Sequence, residues 1–163
     1  MPRSADVLFV CTGNICRSPT AECVFRSLVV RAGLAARIEI DSAATHDYQV
    51  GEPPDPRAIR AARRRGYTFD GRVARQVQAS DFERFGWILA MDRHNLAELK
   101  ALRPIAYRGY LGLFLDWAPQ LSLREVPDPY HGTAEDFERV LGLAERGAAA
   151  LLDAIRARLT PTP

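Results

Sequence analysis

Short apolar runs alternate along the chain with longer stretches whose apolar residues recur every three or four positions. That is the pattern of parallel strands covered by helices. Asp6 to Val10 is a compact β-branched run that reads as a strand buried on both faces. Thr12 to Ser18 reads as a loop, and Pro19 fits a first helical position. From there to Ala32, the residues Ala21, Val24, Phe25, Leu28 and Val29 form one stripe, which Gly33 ends. Ile38 to Ile40 predicts a second strand closing at Asp41-Ser42, and His46 to Pro56 a loop. Arg57 to Arg65 predicts a polar helix whose basic run, Arg63 to Arg65, reads as a solvated face. Ser80 to Glu83 resembles a helix start before a strand at Trp87 to Ala90. Asp92 to Leu102 predicts a helix, and Leu111 to Leu115 a further strand. Thr133, with Asp136 three places on, is placed to cap a last helix running to about Leu159.

Composition narrows the functional classes. The 163 residues show no repeat, linker or low-complexity tract, so 1–163 reads as a single domain. Net charge is only +2, although 21 of the 22 cationic side chains are arginine, so charge gives no support to nucleic acid as a partner. No apolar segment approaches the roughly 20 residues of a membrane span, and the apolar run after Met1 is too short for a signal-peptide core. A cytoplasmic protein with no membrane partner is expected. The three cysteines, Cys11, Cys16 and Cys23, fall within 13 residues, an odd cluster unlike a disulfide framework.

The chemistry lies in Cys11-Thr12-Gly13-Asn14-Ile15-Cys16-Arg17-Ser18-Pro19. A cysteine at the carboxyl end of a first buried strand stands where open α/β sheets place their ligands. The following loop runs into a helix amino terminus, whose free N–H groups and dipole favour an anion. Gly13 and Asn14 suit the left-handed backbone that curls N–H groups inward, and Arg17 adds a fork matched to a phosphate edge. The same donors favour thiolate over thiol, so the loop reads as an oxyanion cradle with a nucleophilic sulfur at its base. Ser18 is placed to donate to that sulfur. The Gly-Lys-Ser/Thr ending of a nucleotide-binding loop is absent, and the cysteine spacing does not suit zinc. Transfer from a phosphate ester also needs a proton for the leaving oxygen, and Asp128, pinned between Pro127 and Pro129, is the candidate donor.

These residues closely resemble the signature loop of the low-molecular-weight protein tyrosine phosphatases. The resemblance continues through Asp41-Ser42-Ala43, Asp55-Pro56-Arg57, Ala74-Arg75-Gln76, Met91-Asp92 with Asn95, and Asp128-Pro129-Tyr130. It implies a three-layer αβα fold with a central four-stranded parallel sheet, the phosphate loop lying between the first strand and first helix. It implies no metal and no organic cofactor. Cys11 would be the nucleophile forming a phosphocysteine, Arg17 the phosphate clamp, and Asp128 the acid and then the base. Thr12, Gly13, Asn14, Ile15, Cys16 and Ser18 would surround the phosphate, with Tyr48, Tyr130 and His131 at the mouth. Asn14 and Ser42 would hold the loop, and Cys16 would pair reversibly with Cys11 under oxidation. Cys23 reads as a helix-face filler. The implied partners are tyrosine-phosphorylated proteins, a cognate kinase among them, met by a monomer or weak dimer.

Three positions depart from the family pattern: Tyr48-Gln49 replaces a frequent Trp-His, His131 a frequent second aromatic, and Arg72 a His that buttresses Asn14. Three alternative functions stand beside hydrolysis of phosphotyrosine. Arsenate reduction by a cysteine relay needs cysteines beyond Cys23, and there are none. A protein-arginine phosphatase tends to carry Thr where Ile15 stands. A catalytically silent phosphopeptide module would lack Cys11 or Asp128.

Overall fold

The computed structural model describes residues 4–159. Four strands, β1 (Val7–Cys11), β2 (Ile40–Ala44), β3 (Trp87–Ala90) and β4 (Tyr110–Leu113), form one parallel sheet in the order β2-β1-β3-β4. Every residue of β1 is buried, as its unbroken apolar run requires of a central strand. The twofold alternation sends Val7, Phe9 and Cys11 into one core, and Leu8 and Val10 into another.

The first core lies beneath α1 (Arg17–Arg31), α2 (Pro56–Arg64) and α5 (Ala134–Arg156). At its centre Phe9 packs edge-on against Phe25 and Phe114, with ring centroids 5.6 and 5.3 Å away. The second core is covered by the short α3 (Asp81–Arg84) and by α4 (Arg93–Leu102), with Phe82, Phe85, Ile88 and Leu99 inside. The expected αβα layering is therefore present. The chain leaves β1 toward β2 on one side and later returns to β3 on the other. That reversal opens a crevice at the carboxyl end of β1, where Cys11 ends the strand.

Several boundaries differ from expectation for identifiable reasons. Helix α1 begins at Arg17, so Pro19 is its third residue, where its missing N–H is still one the helix leaves unused. Strand β2 runs Ile40–Ala44 and not Ile38–Ile40, because Asp41 and Ser42 find polar partners and can lie inside the sheet. Ser42 thereby sits level with Phe9. Strand β4 stops at Leu113, and Phe114–Trp117 tightens into a 3₁₀ turn that drives Phe114 into the core. Helix α5 ends at Arg156, and at its start the Asp136 carboxylate accepts from the Thr133 N–H at 2.7 Å, as the capping pattern predicted. Two residues of the basic run are not simply solvated, since Arg64 and Arg65 both meet Glu138 on α5.

Two glycines of α5 make opposite predictions. A methyl at Gly147 would lie 2.6 Å from the Phe114 ring, whereas one at Gly142 meets nothing within 4 Å. Gly142→Ala should raise stability by about 0.5–1 kcal/mol through helix propensity. Gly147→Ala should lower it by about 1–2 kcal/mol, overpacking outweighing the same gain. Urea unfolding of both variants checks this, and parallel stabilisation would contradict the packing described.

Candidate active site

Cys11 Sγ lies on the floor of a cleft of about 270 Å³ and receives the loop's donors. The backbone N–H of Asn14 reaches it at 3.3 Å and that of Ser18 at 3.4 Å. The early start of α1 makes the Ser18 group one of the helix's unpaired donors, directed at sulfur rather than at a carbonyl. The Ser18 hydroxyl lies 3.0 Å from Sγ.

The loop keeps its shape through Asn14, which is left-handed at φ 59° as expected. Its side-chain amide donates to Ser18 Oγ at 2.8 Å and to Ser42 Oγ at 2.9 Å. Its Oδ1 accepts from the Arg75 N–H at 3.1 Å. Gly13 is not left-handed. Its small size matters instead, because a Cβ there would stand 3.3 Å from the Gln49 side chain.

Behind this layer is a charged network that sequence reading assembled only in part. Ser42 donates to buried Glu22 at 2.6 Å, and Glu22 also meets Arg26 at 2.8 Å and Arg72 at 2.5 Å. Burial pushes the Glu22 carboxyl up, opposed by its bonds to Ser42 and the two arginines. Arg72 thus supports Asn14 through Glu22 and Ser42, and it also holds Asp41. Glu22 carries no recognisable local motif. Its position one helical turn before Arg26 was the sole hint.

Arg17 is 3% exposed and is oriented from below. Its guanidinium donates to Asp92 at 2.7 Å, to the Val126 carbonyl at 3.0 Å and to Thr12 Oγ1 at 3.4 Å. Burial by itself would lower its pKa, but the charges of Cys11, Asp92 and Asp128 outweigh that and raise it. Asp92 also caps α4, accepting from the Asn95 N–H at 2.8 Å, so one carboxylate fixes both helix and guanidinium. Asn95 in turn donates to Thr12 at 3.0 Å.

Asp128 stands at the opening with a side chain 56% exposed, its Oδ2 3.8 Å from Arg17. Its Oδ1 accepts from the Tyr130 N–H at 3.1 Å. Cys11, Thr12, Gly13, Ile15, Cys16 and Arg17 line the cleft, and Tyr48, Asp128, Tyr130 and His131 complete it. Gln49, which the sequence reading noted only as a departure from the family pattern, joins them. Asn14 and Ser18 do not line it. Both are buried behind the loop, and their side chains support its shape. Burial first, then the charges of Asp55 and Cys11, push the Cys16 thiol up, and burial pushes Cys23 up to about 12.

This arrangement has close counterparts. The model of the family described as low molecular weight phosphotyrosine protein phosphatase matches residues 6–160. The chain belongs to that family. It is 40% identical to the low molecular weight protein-tyrosine-phosphatase YfkJ of Bacillus subtilis, over 93% of this chain and 96% of that one. The human low molecular weight phosphotyrosine protein phosphatase is 42% identical, over 91% of this chain and 94% of its own. The crystal structure of YfkJ superposes with a TM-score of 0.90 at 38% identity, covering 96% and 98% of the two chains. In this phosphatase-family chain, Arg72 is held by Glu22 and Asp41. At the mouth the Tyr48 ring is 74% exposed and stacks on His46 at 5.0 Å.

Ser42→Ala removes both an acceptor for Asn14 and the donor to Glu22. Leaving such buried groups unsatisfied should cost about 1–3 kcal/mol in urea unfolding and weaken binding of inorganic phosphate. A variant with wild-type stability and phosphate affinity would contradict the supporting role.

Proposed function

We propose that the protein hydrolyses phosphotyrosine in proteins, and small aryl phosphates, through a phosphocysteine. One observation carries the reading: a donor-surrounded sulfur, a buried guanidinium and an exposed carboxyl group meet at a single cleft. The ester's phosphoryl oxygens would occupy the N–H groups of the loop and the Arg17 fork, placing phosphorus in line with Cys11 Sγ. Sulfur attacks phosphorus, the phosphorus–oxygen bond breaks, and Asp128 delivers its proton to the departing phenolate oxygen. Asp128, now a carboxylate, takes a proton from water as that water attacks the phosphocysteine. Phosphate leaves and the thiolate returns.

Ser18 contributes to the second step. Its oxygen already accepts from Asn14, so its own hydrogen is free for the sulfur 3.0 Å away, stabilising the thiolate as leaving group. Ile15 presents an apolar branched side chain to the cleft, which suits an aryl ring better than a guanidinium. Tyr48 and Tyr130, both exposed and both lining the cleft, offer ring faces to a peptide carrying the ester. Cys11 and Cys16 line the same cleft, which supports a protective disulfide between them under oxidation. Among the described residues no helix is long and apolar enough to cross a membrane.

Cys11→Ser should abolish turnover of phosphotyrosine peptides while still binding phosphate. Asp128→Ala should slow aryl-ester cleavage by about 10²–10⁴. Phosphoarginine peptides assayed beside phosphotyrosine peptides should be cleaved poorly. Turnover by Cys11→Ser, or a preference for phosphoarginine, would overturn the proposal.

A further inference from the structure

A second constellation stands at the rim, outside the phosphate cradle. His46 follows β2, and His94 and Glu98 lie one turn apart on α4. One donor atom from each lies within 4.8 Å of the others. The imidazole rings of His46 and His94 are stacked, with centroids 6.0 Å apart and planes 9° from parallel.

We propose that His46, His94 and Glu98 bind a divalent first-row transition ion, with water completing its coordination. Two imidazoles and a carboxylate are donors suited to zinc, cobalt or nickel and ill suited to magnesium or calcium. Bond lengths of about 2.0–2.2 Å require donors closer together than they now stand. His94 and Glu98 are exposed at the surface of α4, so rotation of their side chains closes the gap without moving backbone. His46 is better fixed. Its Nδ1 lies 2.9 Å from Thr45 Oγ1, an outer partner that holds a ligating ring in place and leaves Nε2 for the ion. Its backbone N–H donates to the Thr12 carbonyl at 3.1 Å, so the donor is anchored on the phosphate loop itself.

The ion would join two segments whose imidazoles already stack on each other. One carries Tyr48, stacked on His46, and Gln49 at the cleft. The other begins at Asp92, which orients Arg17. Binding therefore fixes the mouth of the cleft while leaving Cys11, Arg17 and Asp128 free of metal. The site does not depend on which phosphoester the protein cleaves.

Titration of the full chain with Co²⁺, followed by heat and visible absorption, tests this. The expected result is one equivalent bound, with ligand-field bands and no sulfur-to-metal charge-transfer band. Zn²⁺ should shift the ring NMR signals of His46 and His94 and leave those of His131, the third histidine, in place. His94→Ala and Glu98→Gln should each weaken binding by at least about 10-fold, since loss of even an outer-shell partner costs that much. Both variants should keep wild-type turnover of an aryl phosphate in the presence of chelator. A sulfur-to-metal band, an affinity unchanged in both variants, or equal response of all three histidines would overturn the proposal.

Discussion

The site depends on the left-handed turn at Asn14. A non-glycine residue in that conformation is unfavourable unless its surroundings hold it, and here every polar atom of the side chain is engaged. The turn directs the N–H groups of Asn14 and Ser18 toward one sulfur. A backbone relaxed to ordinary geometry would scatter them. Stability spent on the turn is recovered through Ser42, Glu22 and the arginines behind it, so the cradle is tied by hydrogen bonds and ion pairs to β2 and α1.

Division of labour follows from burial. The groups proposed to meet the phosphate are held in place: Arg17 from below by Asp92 and the Val126 carbonyl, and the loop by Asn14. The group proposed to exchange protons is the exposed one, Asp128, on a segment restricted by two prolines. Anion binding needs donors that do not reorganise, whereas proton transfer needs contact with both leaving oxygen and water. Cys16 illustrates the contrast. It lines the same cleft, yet burial and neighbouring negative charge keep it a thiol.

The phosphate loop was legible because all its signals are local: a buried run, a cysteine at its end, Gly-Asn, and an arginine before a proline-bearing helix. Asp128 was legible for the same reason, flanked by prolines that announce a fixed position. Asp92 as the support of Arg17, Glu22 beneath Ser42, and Gln49 at the mouth come from segments distant in sequence, and their types are common on any surface. His46 and His94 meet only because β2 and β3 flank the same strand, so no spacing could reveal them. Local pattern also misplaced β2. Asp41 and Ser42 look like a strand's end until Arg72, Arg75 and Asn14 supply partners inside the sheet.

The central claim is that one turn of backbone makes sulfur reactive and receives an anion in the same place. Iodoacetate, itself an anion with an alkylating carbon, tests both halves at neutral pH. Mass spectrometry of the labelled protein should show modification at Cys11 well ahead of Cys16 and Cys23, and inorganic phosphate should protect Cys11 competitively. Equal labelling of the three cysteines, or labelling of Cys11 that phosphate does not slow, would contradict the account.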